Sequence, residues 1–144
     1  MKYDRFEDLP VWKDSIDFAR RIYELMEHPL FIKKYSLRDQ IERAAVSISN
    51  NIAEGFERGT TKEVLTFLYI ARGSAGEVRS MLCFIETLPA YSDLKSEISN
   101  LKSAAESISR QLRACADSLQ NSHIKGQRYL NKTTRTPARV RRSE

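Results

Sequence analysis

Basic side chains are concentrated near the carboxyl end of this 144-residue chain, where they could bind the phosphates of a nucleic acid. Residues 123–144 hold seven Lys or Arg side chains and one acidic residue, a net charge of +6. Lys and Arg neutralise phosphates and release counterions, an attraction largely indifferent to base sequence. Tyr129 could also stack on an exposed base. The candidate contacts in this segment are Lys125, Arg128, Tyr129, Lys132, Arg135, Arg139, Arg141 and Arg142.

A smaller basic cluster, Lys33, Lys34 and Arg38, falls between two predicted helices. It could add phosphate contacts to those of the terminal segment, although the pattern favours ordinary solvated loop charge. The 122 residues before position 123 hold 17 basic and 18 acidic side chains, a net charge of −1. Runs of like charge are typical of disordered interaction tails. We therefore expect a charge-balanced domain over residues 1–122 and a basic, flexible segment over 123–144.

A polar stripe on the second predicted helix could hydrogen-bond to another helix or to another subunit. Arg43, Ser47, Asn51 and Glu54 recur at three- and four-residue steps, on the face opposite the apolar residues. Ser and Asn compete with the backbone for hydrogen bonds, so they are unusual on a helix face that only meets solvent. Buried polar groups need partners. An interface is our hypothesis, and a solvated face is the alternative.

The sequence shows no spacing typical of a metal site or a catalytic centre. Di-iron bundles require Glu-x-x-His on two helices, and neither His28 nor His123 has Glu three residues before it. Cys83 and Cys115 lie too far from each other and from the histidines for zinc-site spacing. There is no Gly-rich phosphate loop after a strand and no nucleophile beside a base. We therefore expect no metal, no cofactor and no enzymatic activity.

Four amphipathic helices are predicted to position these residues. Apolar side chains recur at three- and four-residue steps over residues 8–28, 36–59, 60–88 and 92–121. Asp8, Ser36 with Asp39, Thr60 with Glu63, and Ser92 with Asp93 are the predicted helix starts, and Gly59 is the predicted end of the second helix. Only 5 Gly and 4 Pro interrupt the chain, so connections are short. The predicted fold class is all-α, an antiparallel up-down-up-down four-helix bundle.

The predicted core consists of one apolar stripe on each helix. On the fourth helix it keeps heptad spacing from Leu94 to Leu119 and includes Cys115. In the third helix, Gly73 and Gly76 each cost roughly 1 kcal/mol relative to Ala. We interpret them as admitting another helix at close range, with a kink as the alternative. The stripes of the first two helices are Leu9, Trp12, Ile16, Ala19, Tyr23 and Met26, widened by Val11, Phe18, Ile22 and Leu25, and then Ile41, Ala45, Ile48, Ile52 and Phe56.

Composition favours a cytoplasmic protein without membrane association. No apolar run approaches the roughly 18 residues that a membrane-spanning helix needs. The polar start MKYDRFEDLP does not have the pattern of a signal peptide, and two cysteines are expected to stay reduced inside the cell.

Three ordered motifs resemble those of a known family. They are FEDLPVW at residues 6–12, QIERAAVSI leading into NIAEG over residues 40–55, and FLYIA followed by Gly73, Ser74 and Glu77. With these motifs the chain resembles the four-helix-bundle proteins encoded in intervening sequences of large-subunit ribosomal RNA genes. The resemblance covers roughly residues 6 to 115. Glu42 departs from the family pattern, which commonly has a second arginine there, and this argues against a basic outer wall on the bundle.

The resemblance implies an antiparallel bundle that assembles into a ring-like oligomer, a pentamer. Relatives include accessory proteins of diversity-generating retroelements, which resemble basic barrels that bind nucleic acid and a reverse transcriptase. Gly73, Ser74 and Glu77 then join the polar stripe as candidate interface residues. The first hypothesis is a non-enzymatic oligomer that binds RNA or DNA, as an accessory factor to a reverse transcriptase. The alternative is a protein–protein scaffold with no direct nucleic-acid role.

Overall fold

The computed structural model describes residues 3–121, which form four α-helices and two short 3₁₀ turns. The turns are Phe6–Asp8 and Pro89–Leu94. None of the residues in this part of the chain lies in a strand. The predicted all-α, four-helix fold class is confirmed. The helices are α1 (Pro10–Met26), α2 (Tyr35–Arg58), α3 (Thr61–Glu86) and α4 (Lys95–Gln120).

Each helix packs against two others around one core. α1 contacts α2 and α4, and α3 contacts the same two helices from the other side. Two residues, Gly59 and Thr60, join α2 to α3, yet Ser47 in the middle of α2 meets Ser74 in the middle of α3. Such a contact across a short link requires that α2 and α3 run in opposite directions. α4 turns back along α3 in the same way, because Arg79 pairs with Glu106 across the turn that joins them.

The link between α2 and α3 forms as the sequence predicts. Gly59 ends α2 with a φ of 97°, in the left-handed region that glycine adopts without strain. Thr60 caps α3, because its hydroxyl accepts a hydrogen bond of 3.2 Å from the Glu63 amide and donates one of 2.9 Å to the Glu63 carboxylate. Both predicted caps are confirmed.

The predicted starts of the other helices are wrong by one to three residues. Asp8 lies in the first 3₁₀ turn, and α1 begins at Pro10, because the residue before a proline, Leu9, is held in an extended conformation. Ser36 does not cap α2, which begins one residue earlier without a side-chain cap. Ser92 and Asp93 lie in the second 3₁₀ turn, so α4 begins only at Lys95.

The core confirms the predicted face of α2 and corrects two others. All five predicted residues of α2 are buried, whereas Ile16 and Tyr23 of α1 are exposed and Phe18 and Ile22 form its buried face. On α4, Ala116 is buried in place of the half-buried Cys115. A straight helix has 3.6 residues per turn, so a heptad pattern drifts by about 20° per repeat and reaches the neighbouring residue near the helix end.

In the described part of the chain, no helix is both long enough and apolar enough to cross a bilayer.

Candidate functional site

A small polar cluster joins α2 to α3 at mid-height. The hydroxyl oxygens of Ser47 and Ser74 lie 2.9 Å apart, and the Asn51 amide nitrogen donates to the Ser47 hydroxyl at 2.9 Å and to the Ser47 carbonyl at 2.7 Å. All three side chains are half-buried. Each polar group in the cluster therefore has a partner where water is partly excluded. The structure brings together two residues of the predicted polar stripe, Ser47 and Asn51, and one residue of the family motif, Ser74.

The other members of the predicted stripe make local contacts. Arg43 is exposed and its guanidinium lies 3.1 Å from Asp39, one turn earlier on the same helix. Glu54 accepts a hydrogen bond of 3.0 Å from Arg58, which also contacts Glu63 at 3.3 Å. Hydrogen bonds to these carboxylates, with Glu54 the larger contributor, raise the pKa of Arg58. Among residues 3–121, Ser47 is the only member of the stripe with a hydrogen bond to a second helix, so a subunit interface here stays a prediction.

The two predicted close-approach glycines face outward. A Cβ added at Gly73 or Gly76 would meet no atom within 4 Å, and both residues are exposed. The prediction that they admit a neighbouring helix is therefore wrong within one protomer, and α3 continues through them. Close approach occurs instead at buried Gly55, where an added Cβ would lie 2.8 Å from the Cβ of Phe67. Its position seven residues after buried Ile48 is the spacing that could have identified it.

The outward face of α3 carries exposed apolar side chains at its middle. We define it by its exposed residues Tyr69, Ile70, Gly73, Gly76 and Glu77. Glu77, one of the candidate interface residues, is the single charged group in this set, and it has no ion-pair partner among residues 3–121. Single exposed apolar side chains are common on proteins, but a contiguous apolar surface marks an interaction site.

The small basic cluster divides into two kinds of residue. Lys33 and Lys34 are exposed and form no ion pair within residues 3–121. The Arg38 side chain is only 21% exposed and lies 3.5 Å from a Glu27 carboxylate oxygen. It also donates a hydrogen bond of 3.1 Å to the Ile32 carbonyl. Arg38 therefore holds the connection between α1 and α2, and the two lysines are the cations free for a partner.

A groove beside these lysines was not found by sequence reasoning. It encloses about 550 Å³ between the first turns of α2 and the last turns of α3. We call it the α2/α3 groove, and its lining includes Lys34, Tyr35, Gln40, Met81 and Phe84. Tyr35 and Phe84 are 72% and 56% exposed. A sequence offers no clear signal for this groove, because its two walls lie at least 40 residues apart in the chain.

The candidate residues of the basic terminal segment, from Lys125 to Arg142, lie outside the described residues. Helix α4 leads toward them and ends at Gln120, at the end of the bundle where α1 begins. Lys33 and Lys34 precede α2 at the opposite end. At about 1.5 Å per residue, the 24 residues of α2 separate these ends by roughly 36 Å. The last described residue, Asn121, and the two lysines therefore lie at opposite ends of the bundle.

Several other charged groups of residues 3–121 are paired with each other. Arg20 contacts Asp17 and Glu24, and Lys102 lies 2.7 Å from Glu86. Hydrogen bonding to Glu86 raises the pKa of Lys102, as hydrogen bonding to Asp17 raises that of Arg20. In residues 3–121, no three His, Cys, Asp or Glu side chains lie close enough together to hold a metal ion.

The two cysteines are free thiols in different surroundings. Cys83 is exposed on α3 and Cys115 is half-buried on α4. Burial raises the pKa of the Cys115 thiol, because the charged thiolate is less stable away from water.

The comparisons with known proteins concern the bundle. A family model described as 23S rRNA-intervening sequence protein matches residues 7–114. The match runs from the first 3₁₀ turn into the last turns of α4, so it includes the polar cluster, the outward face of α3 and the α2/α3 groove. A search of curated proteins finds no match.

Proposed function

Because the chain belongs to the 23S rRNA-intervening sequence protein family, we propose that it is a non-enzymatic, pentameric helical bundle that binds RNA or DNA through phosphate contacts. The observation that carries this proposal is the distribution of charge. Residues 123–144 have a net charge of +6, while the preceding 122 residues have a net charge of −1. Polyanions are attracted to the part of a protein where cations exceed carboxylates.

The contacts on the bundle support this division. Arg20, Arg58 and Lys102 each have a carboxylate partner within 3.0 Å, so a phosphate would have to compete with that partner. Such exposed pairs contribute little to stability. Their consequence for binding is that these three cations are less available to a phosphate than an unpaired lysine is. The basic segment then supplies most of the electrostatic attraction, and Lys33 and Lys34 add to it.

Assembly is supported by the outward face of α3. Tyr69 and Ile70 are each 45% exposed, and Gly73 and Gly76 follow them on the same face. Glycines without a neighbour in their own protomer would allow a helix of a second copy to approach closely. Several copies would also bring several basic segments together, and linked binding sites raise the overall affinity for one long polyanion.

We also propose a reverse transcriptase as a partner, and this part of the proposal rests on the family resemblance alone. Its test is co-purification of the protein with the reverse transcriptase of a diversity-generating retroelement, in buffer that contains nuclease. The alternative function, a protein–protein scaffold, is favoured by the same apolar face of α3. In that case partner capture survives nuclease treatment and depends on residues such as Ile70.

The salt dependence of binding tests the proposed function. We expect the affinity of the full chain for a fluorescent DNA duplex to fall steeply with salt. Seven phosphate contacts correspond to a slope of about −6 in a plot of log K against log salt. Fluorescence anisotropy between 50 and about 300 mM KCl measures this slope. A slope near zero, or no binding at low salt, would contradict electrostatic nucleic-acid binding.

A further inference from the structure

The α2/α3 groove combines exposed aromatic rings with one unpaired cation, Lys34, next to Lys33 in the chain, and this is the chemistry of a site for unstacked bases. We propose that this groove binds a single-stranded segment of nucleic acid, in which Tyr35 and Phe84 stack on bases and Lys33 and Lys34 contact the flanking phosphates. This inference rests on the proposed function and adds to it a second contact surface, with a preference for unpaired strands. Proteins that bind single strands typically combine a positive groove with such aromatic platforms.

The aromatic side chains are placed for stacking. Tyr35 is 72% exposed and Phe84 is 56% exposed, and both line the same groove. Phe84 and buried Ile85 are neighbours on α3. Successive side chains leave a helix in different directions, so Phe84 faces away from the core while Ile85 faces into it. The aliphatic side chains of Leu37 and Met81 complete the apolar lining. A planar base could then cover apolar surface that a monomer leaves in water.

The charges around the groove favour a phosphate backbone. Lys34 lines the groove, and no Asp or Glu does so. The first turn of α2 contains no acidic residue and has no side-chain cap, so the positive end of the helix dipole adds to the field of the lysines. Glu27 and Glu42 lie 3.5 and 4.0 Å from Arg38, whose guanidinium engages them. Lys33 and Lys34 form no ion pair within residues 3–121, so a phosphate there would displace no carboxylate partner.

Polar groups in the groove could bind base edges. Ser36 and Gln40 line the wall from α2, and Ser80 lines the wall from α3. Hydroxyl and amide groups can donate and accept hydrogen bonds, as the edges of unpaired bases require. An apolar segment of another protein would leave these groups and the lysine without partners, which favours nucleic acid as the occupant.

The experiment compares binding of a fluorescent oligouridine of about 20 nucleotides with binding of a DNA duplex to the full chain. We expect Tyr35→Ala and Phe84→Ala to weaken oligouridine binding by roughly 5- to 150-fold each, the effect of losing one stacked base. Duplex binding should stay unchanged. Tyr35→Phe should restore binding, because it keeps the ring. Tyr23→Ala, which removes an exposed aromatic of α1, is the matched control and should have no effect.

The lysines give an independent readout. Lys33→Gln combined with Lys34→Gln should reduce the magnitude of the oligouridine salt slope by about 1.4, the value for two single-strand phosphate contacts. If oligouridine binds the full chain but the aromatic variants bind it as tightly, the groove is not the site, although the proposed function survives. If the chain binds neither probe, both proposals are wrong. If Tyr35→Ala or Phe84→Ala changes the mass of the assembly, the groove is a subunit contact and this inference is overturned.

Discussion

The hydroxyl oxygens of Ser47 on α2 and Ser74 on α3 lie 2.9 Å apart and mark how these helices are aligned along their length. Asn51 donates to Ser47 from one turn further along α2, so the cluster is closed by hydrogen bonds. The alignment has a functional consequence. It determines which residues of α3 face the first turn of α2, and hence where Phe84 lies relative to Tyr35 in the α2/α3 groove.

Ser74→Ala should destabilise the protein. The substitution removes one of the two side-chain partners of the half-buried Ser47 hydroxyl, and a lost hydrogen bond of this kind costs about 1 kcal/mol. Urea unfolding followed by circular dichroism measures the change. Ser80→Ala, on the exposed face of the same helix, is the matched control and should remain within about 0.5 kcal/mol of wild type. Equal stability of both variants would show that the cluster contributes nothing.

Gly55→Ala should also destabilise, although Ala normally stabilises a helix. The added methyl group would lie 2.8 Å from Phe67 Cβ and 3.4 Å from Val64 Cα, so α2 and α3 must move apart. Overpacking of this kind typically costs about 1–3 kcal/mol, more than the roughly 1 kcal/mol gained from helix propensity. The midpoint of thermal unfolding is the measurement. A midpoint at or above that of wild type would contradict the close contact.

Gly73→Leu tests the outward face of α3 without disturbing the core. Within one protomer the new side chain meets open space, so helical content should be unchanged. If a helix of a second copy packs on this face, the larger side chain forces the two helices apart and the assembly dissociates into smaller species. Sedimentation velocity measures the assembly and circular dichroism measures the helix content. An assembly of wild-type mass would place the subunit contact on another face.

The two thiols should react at different rates, and Cys115 should contribute to a decline of stability in alkali. Burial raises the pKa of Cys115, so at pH 8 it carries less thiolate than a free thiol, whose pKa is about 8.5. Because the pKa of Cys115 is higher in the folded chain than in the unfolded chain, its protonated thiol stabilises the fold below the unfolded pKa. This stability is lost as the pH rises through the folded pKa.

Alkylation with iodoacetamide measures these rates, with Cys83→Ser and Cys115→Ser reporting each thiol separately. The exposed Cys83 is expected to react first. Equal alkylation rates for the two thiols between pH 7 and about 9 would be inconsistent with the burial of Cys115.

The sequence predicted the number of helices and the core of α2 because both depend on local periodicity. Gly59 and Thr60 were also predictable, since a left-handed glycine and a threonine cap act within a few residues. Contacts between distant segments were not predictable in this way. The apolar spacing of α1 has two nearly equal stripes, and only packing against α2 and α4 decides that Phe18 is buried and Tyr23 is exposed.

In the candidate site, too, local features were predictable and contacts between distant segments were not. Sequence reasoning selected Ser47, Asn51 and Ser74, which the fold brings together. It also selected Lys33 and Lys34, but it grouped them with Arg38, whose charge is engaged by Glu27. The α2/α3 groove joins residues 34–40 to residues 80–84, and no local pattern relates those two segments.

The most direct test of the account is to compare nucleic-acid binding by the full chain with binding by a chain that ends at Asn121. We predict that the shorter chain keeps the assembly mass of the full chain in native mass spectrometry. We also predict that it loses most of its duplex affinity, with a salt slope reduced by about 6, because it lacks the seven cations of the terminal segment. Undiminished duplex binding by the shorter chain would contradict the account.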